Sequence, residues 1–509
     1  MELTKNTINI CDTVAKGRTQ AMADGDVIVP DTKPDILKLI QVDSDASITD
    51  KYIENGRLIL CGRVDYKILY VPDRENEKIK SIETSMEFRQ AVDAGNTDAD
   101  RKILSKPIVE RVEFNTVNSR KLRLRAIINI DYEVLSMGVA ELTLDAFDEM
   151  LEKKTENISF EDVVNVSEHE FTVKERLEIP SGERSVNELL KTDVKLYDTE
   201  YKPVTGKVIV KGIVAVCVLY TDDEGDIKFT ESEIPFTEVL DAMEISENSV
   251  CDIDYCVLNV MATAEPDIDG DLREINLDID ISAAMKATNT VDKEILTDCY
   301  MPFAKTLCEK EKVSLRSTIE SPSSQNTIRD IVEIPTNAPQ VSEVYNVMTN
   351  VIVSKTALER NKIICEGKTE VYILYLTDSV ENPIHSLKKE IPFSYMIDCK
   401  NDTNGLVCEL KSQIKHASYS INSSGEIEIR CLLCIDCMLT KEMEIENICE
   451  IVTEESDIRQ GIVIYFARAG EKIWDIAKTY RVPSNSLEEL NETKGERLEA
   501  DRKLIIPMK

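Results

Sequence analysis

The sequence predicts a mainly β protein: three tandem β-sandwich-like repeats, each with a short helix, and a small α+β tail of βααβ form. Three observations lead there. The segment GRLILCGRVDYKILYVPD at Gly56 returns as GKVIVKGIVAVCVLYTDD at Gly206 and as NKIICEGKTEVYILYLTD at Asn361, aligned without a gap. Within each copy apolar residues alternate with period two, so that Leu58, Leu60, Val64, Tyr66, Ile68 and Tyr70 share one face of an extended strand. From Ile462 onward the pattern changes, and Ile473, Ala477 and Tyr480 fall on one helical face.

Taken in chain order, Pro30, Pro180 and Pro335 each end a short apolar strand. They lead into Ile36, Leu39 and Ile40, then Val186, Leu189 and Leu190, then Val341, Val344 and Tyr345. That i, i+3, i+4 spacing predicts one short helix near the start of each repeat, with Pro34 and Asp35 suited to its first turn in the first copy. The long strand follows. Its column Gly62, Gly212 and Gly367 marks a bulge, a bend or the close approach of another backbone. Later come SMEF and two copies of EIPF, then closing strands such as LRLRAIINIDY and EINLDIDIS, whose alternation implies one wet and one dry face. Copies lie 150 and then 155 residues apart, so the repeat is a whole domain rather than a solenoid unit. The register sets the units at 1–158, 159–311 and 312–457, and TEESDIRQG links them to a tail at 462–509.

Composition narrows the function. With 42% apolar and 31% charged residues, the 509-residue chain fits several soluble globular domains. Its start lacks the basic and apolar regions of a signal peptide, and its longest apolar run, IVAVCVLY, is far short of the roughly 20 residues a membrane helix requires. A chain retained inside the cell is expected, with its fourteen cysteines as reduced thiols. A net charge of −34 argues against nucleic acid or anionic lipid as the main partner. From Val463 to the end there are nine Lys and Arg against eight Asp and Glu, so the negative charge lies entirely upstream.

Sequence motifs point away from catalysis. His169, His385 and His416 occupy non-equivalent places in the repeats, which leaves no histidine-based triad. Cys431, Cys434 and Cys437 in CLLCIDC lie along an alternating strand that sends Cys434 to the opposite face, unlike a zinc knuckle. DIDGDLRE has Leu272 where a calcium loop needs glycine and Asp278 where it needs glutamate; it reads as a hairpin turn. No nucleotide-binding fingerprint is present. No catalytic residue, metal site or cofactor is therefore expected.

The tail IVIYFARAGEKIWDIAKTYRVPSNSLEELNETKGERLEADRKLIIP resembles a LysM domain, matching at Tyr465, Gly470, Ile473, Trp474, Ile476, Ala477, Tyr480, Val482, Leu487, Leu490, Asn491, Leu504, Ile506 and Pro507. A capping box at SLEE is expected to start its second helix near Ser484 or Ser486. The resemblance implies a shallow groove for peptidoglycan or chitin-type sugars, or for a protein partner. Gly470, Glu471, Lys472 and Ile473 would form one side and Asn491, Glu492 and Thr493 the other, with Glu471 and Lys472 standing where the family has Asp and Thr or Ser. Trp474, the single tryptophan, reads as a core plug. At the front, VIVPDTKPDILKLIQVD and the strand after it resemble the SPOCS domain of spore-coat proteins. Together the two resemblances imply a non-enzymatic spore-coat morphogenetic scaffold. It would be made in the mother-cell cytoplasm, gather on the forespore surface and bind the coat-basement ATPase and other coat proteins, partly through the LysM domain; the alternative they leave open is a peptidoglycan or chitooligosaccharide binder associated with wall or cortex.

Overall fold

The computed structural model describes all residues except 75–76, 96–100, 181, 337, 380–381, 423–424, 456–460, 494–496 and 509. The first unit runs β1 (Leu3–Ile28), β2 (Ile36–Glu54), β3 (Arg57–Pro72), β4 (Lys80–Asp93), β5 (Arg101–Asn118) and β6 (Lys121–Ala146). The second runs β7 (Glu152–Glu178), β8 (Val186–Val204), β9 (Lys207–Asp222), β10 (Ile227–Asp241), β11 (Val250–Pro266) and β12 (Leu272–Tyr300). The third runs β13 (Ala304–Glu320), β14 (Ser323–Val332), β15 (Glu343–Glu359), β16 (Lys362–Leu376), β17 (Ile384–Asp398), β18 (Val407–Ile421) and β19 (Ile427–Glu455). Each unit pairs a sheet of order β2-β3-β4 with one of order β1-β6-β5, or their equivalents. Alternate residues of the two central strands fill the space between the sheets: Leu58, Leu60, Val64, Tyr66 and Ile68 against Leu122, Leu124, Ala126, Ile128 and Ile130. In the third unit Pro322, which has no N–H to give a ladder, lies between β13 and β14 where the other units have one strand.

The expected short helices are not there. Ile36, Val186 and Val344 lie in strands β2, β8 and β15, and among the described residues no helix precedes position 473. The apolar triplets arise instead from β-bulges. Pairing passes from Leu39 to Gln41, from Leu189 to Lys191 and from Val344 to Asn346, so Ile40, Leu190 and Tyr345 are extra residues in their strands. Leu39 then packs in the sandwich while Ile40 turns the other way, an arrangement whose spacing imitates a helix. Nor do Pro34 and Asp35 open a helix. The Pro34 carbonyl accepts the Tyr70 hydroxyl at 3.0 Å, as Pro339 accepts Tyr375 at 3.1 Å. Asp35 accepts the Arg120 guanidinium at 2.6 Å and the Ser119 hydroxyl at 2.8 Å, and the Arg120 bond holds its carboxyl below the usual range.

The glycine column has a steric cause. Gly62, Gly212 and Gly367 lie directly across the ladder from Phe88, Phe236 and Phe393, the last residues of SMEF and the two EIPF motifs. A Cβ on Gly212 would meet Phe236 at 2.6 Å and one on Gly367 would meet Phe393 at 2.8 Å. The aromatic ring occupies the space a side chain would take.

Three units close on one another in all three pairings. Lys80 of the first reaches Glu188 of the second (2.7 Å), Lys411 of the third reaches Asp254 of the second (2.8 Å), and Lys16 of the first reaches Glu409 of the third (2.7 Å). Several shared cores lie where they meet. One gathers equivalent columns: Leu69, Leu219 and Leu374, with Ile40, Leu190 and Tyr345 from the bulges. Another joins Ile8 and Leu142, Phe160 and Ile295, Val313 and Leu315. A third joins Ala146, Leu296, Ile448 and Ile451. A second bulge column keeps one sheet face inward throughout. Val14, Val164 and Ile319 are skipped in the pairing of β1, β7 and β13. Across the first of them the buried positions change from even to odd, Ile8 toward the centre and Ala21, Ala23 and Val27 in the sandwich, while all four lie opposite even-numbered residues of β6 and so share one face.

Beside the first shared core lies a buried ion cluster without threefold symmetry. Lys191, with only 1% of its side chain exposed, meets Asp43 of the first unit and Asp193 of its own at 3.0 Å for the latter. Asp193 also accepts the Tyr345 hydroxyl (3.2 Å) and the Asn346 amide (3.0 Å) of the third unit. Burial opposes the charge on Lys191, but Asp193 and Asp43 outweigh it and hold the ammonium protonated above its ordinary range.

Two stability measurements follow. Gly212→Ala should lower the unfolding free energy by about 1–3 kcal/mol in urea titration, the usual penalty of overpacking, and an unchanged midpoint would contradict the steric reading. Lys191→Ala should cost about 3–5 kcal/mol by stranding two largely covered carboxylates, Asp43 and Asp193. Removing exposed Lys5 from its pair with Glu141 should cost less than about 1 kcal/mol.

Candidate binding head

The tail folds as β20 (Gly461–Ala467), α1 (Ile473–Tyr480), α2 (Ser484–Asn491) and β21 (Arg502–Met508), with β20 and β21 antiparallel. Ile473, Ile476 and Ala477 bury one face of α1, which ends where Arg481 turns left-handed (φ 56°) and Val482 donates back to the Ala477 carbonyl at 3.0 Å. Pro483 caps the start of α2, and the cap carries no side-chain hydrogen bond. The capping box expected at Ser484 or Ser486 therefore does not form: Ser486 lies inside the helix, and the Ser484 hydroxyl donates to Glu152 of the second unit at 2.7 Å.

Of the two stretches expected to line a groove, 470–473 and 491–493, the first is tied through its backbone to residues 497 and 498. The Gly470 N–H donates to the Leu498 carbonyl (2.8 Å), the Leu498 N–H donates to the Glu471 carbonyl (3.0 Å), and Lys472 bridges Arg497. Gly470 sits at φ 90°, where a side chain would be strained. Several of the seven residues are occupied by the fold itself. The Glu471 carboxylate accepts its own loop's Arg468 N–H and the Tyr465 hydroxyl, both at 3.3 Å. Ile473 is buried in the head core. Asn491 is buried, with its amide donating to the Leu487 carbonyl (2.9 Å) and the Ile505 carbonyl (2.8 Å) while its oxygen accepts the Ile505 N–H (2.6 Å). Glu492 is the left-handed cap of α2, its carbonyl facing Arg502, and Thr493 is buried just after it.

Two features lay outside the sequence reading. The first is a seat for the head on the second unit. Tyr300, the last residue of β12, enters the head core and donates to the Val482 carbonyl at 2.9 Å. It meets Trp474 edge-on with ring centroids 5.0 Å apart. Trp474 donates its indole N–H to Asp298 at 2.9 Å, and Lys478 reaches the same carboxylate at 2.5 Å. Trp474 thus plugs a seam between head and body. The second is an apolar outer face on the β20–β21 sheet. Val463, Tyr465 and Ala467 point into the head, whereas Ile462 (72% exposed), Ile464 and Phe466 (75% exposed) point to solvent, with Ile505 opposite Ile464. A strand apolar on both faces is the sequence signal for it.

Elsewhere His169, His385 and His416 remain far apart in sequence and in separate strands or strand ladders. Cys431 and Cys437 point into the third sandwich, and Cys434 turns to Asp436. Among the described residues no helix is long and apolar enough to cross a membrane.

Tyr300→Ala should free the head while leaving the sandwiches folded: emission from Trp474 shifts to the red and the far-ultraviolet spectrum stays as it was. An unmoved emission maximum would rule out the seat.

Sequence-family profiles match the chain in four places. The profile described as SipL, SPOCS domain covers residues 35–117, 185–265 and 340–422, and the LysM domain profile covers 467–507. No curated protein and no solved structure matches. The SPOCS matches span β2–β5, β8–β11 and β15–β18, so the long strands that complete the second sheet of each unit lie outside them. These matches mark a sporulation-related protein with a module of the cell-wall-binding class, and both domain types are binding rather than catalytic modules.

Proposed function

We propose that this chain, whose three repeats are SPOCS domains of the SipL type and whose tail is a LysM domain, is a non-enzymatic scaffold of the spore coat. It gathers at the forespore surface from the mother-cell side and helps anchor the coat by binding the coat-basement ATPase through its head. The observation that carries this reading is the exposed stripe Ile462, Ile464, Phe466 and Ile505. Flat aliphatic surface gains from burial against another polypeptide at roughly 25 cal/mol per Å², and offers a sugar hydroxyl no hydrogen-bond partner. Charge adds to it. The body is strongly acidic and the head nearly neutral, so an acidic partner meets least repulsion at the head.

A second reading, peptidoglycan or chitooligosaccharide in the groove, draws on the contact between the 470–472 and 497–498 backbones. Against it, the Asn491 and Glu471 side chains already serve the head's own backbone.

Phe466→Ser, at an exposed position, should leave the fold intact and reduce capture of the purified coat ATPase by the full chain at least about tenfold, the loss expected of an interface anchor. Undiminished capture, or sedimentation with purified sacculi that Phe466→Ser leaves unchanged, would favour the glycan reading instead.

A further inference from the structure

The turn that carries the head's seat also holds two thiols in contact. Cys299 is buried at the end of β12, Cys308 is half-buried early in β13, and their sulfurs lie 3.4 Å apart. We propose that Cys299 and Cys308 are an oxidative modification site, closing into an intramolecular disulfide when the chain meets a low-molecular-weight disulfide.

Geometry favours closure. A disulfide needs its sulfurs at about 2.05 Å, so they must approach by roughly 1.4 Å, within the reach of side-chain rotation. The backbones are held by ladders on their outer sides, Cys299 opposite Lys153 and Cys308 opposite Ile451. The two thiols also differ in the way the chemistry requires. The hydrogen bond from Cys299 lowers the Cys308 thiol to about 7, against the effect of burial and with help from the charge of Lys478. That same bond, and then burial, holds the Cys299 proton in place. Cys308 is thus both the more exposed and the more readily ionised of the pair.

The exchange balances in two steps. The Cys308 thiolate attacks one sulfur of the small disulfide and displaces the other half as a thiolate. Cys299 gives its proton to that departing thiolate and attacks the Cys308 sulfur, expelling the second small group as a thiolate, which takes from solvent the proton that Cys308 released. Two protein thiols are oxidised and one small disulfide is reduced to two thiols.

The location gives the bond a consequence. Asp298 and Tyr300, on either side of Cys299, are the residues that hold Trp474, Lys478 and Val482 of the head. Closing the loop from 299 to 308 stiffens the platform on which the head sits. A second thiol pair, Cys408 and Cys437, lies diagonally across the β18–β19 ladder, but both pack with the third sandwich core, away from a dissolved reagent.

The full chain is incubated with oxidised glutathione, alkylated and digested with trypsin. The expected result is a joined pair of peptides, Glu294–Lys305 with Thr306–Lys310, and a loss of two of the fourteen free thiols. Cys408→Ser should still yield the joined pair, whereas Cys308→Ser should not. Oxidised chain should also hold its Trp474 emission to higher urea than reduced chain. Recovery of the two peptides apart, whether alkylated or as a lasting glutathione adduct on Cys308, would overturn the proposal, and that reading of the unsubstituted chain does not depend on how the variants fold or on what the head binds.

Discussion

A sheet can bury one face along its whole length, and here the same face of each long strand pair covers a sandwich at one end and meets two neighbouring units at the other. The central strands do this with a single parity: Leu122 to Ile130 and Leu142 in β6, Ile275 to Ala287 and Ile295 in β12. Their partners cannot, because the apolar residues of β1, β7 and β13–β14 change between even and odd positions along the strand. The bulged residue at Val14, Val164 or Ile319 absorbs that change once in each unit. Were those residues paired in line, Ile8, Phe160 and Val313 would be aimed away from the shared centre.

Repetition alone would leave the order of the units undefined at the centre. Equivalent leucines from each unit make an apolar cluster that would tolerate any arrangement. The ion cluster is not interchangeable. Gln41, Lys191 and Asn346 stand in one column, and only Lys191 carries a charge for Asp43 and Asp193 to meet. Buried ionic groups add little net stability, because desolvation consumes most of the attraction, yet a misplaced partner leaves a charge unmatched in the interior. Here they act as a key that distinguishes one unit from the next.

Much of this architecture was legible. The three gapless copies carried the number of units, the period-two faces carried the sandwich cores, and Ile473, Ala477 and Tyr480 carried the first helix of the tail. The helices expected near Ile36, Val186 and Val341 were misread because a bulge between two cores produces the same i, i+3, i+4 spacing as one helical face. Pairing partners, which a single strand does not reveal, would have separated the two. The two stretches expected to line the head's groove are tied to other parts of the head, 470–472 to 497–498 and Asn491 to Ile505, and this inward use of Asn491 and Glu471 depends on backbone groups of Ile505 and Arg468 that no local pattern announces. The seat was invisible for a similar reason: Tyr300 lies more than 160 residues from its partner Trp474, in a segment that reads as the end of an ordinary strand.

Because the three units are covalently continuous, their association has no dependence on protein concentration, and dilution cannot separate them as it would three free subunits. Covalent tandem also sets a ratio. A trimer assembled from one repeated unit would display three equivalent tails, whereas here the 461–508 head is seated on the second unit alone. The three units are consequently unequal, and only one of them carries the head.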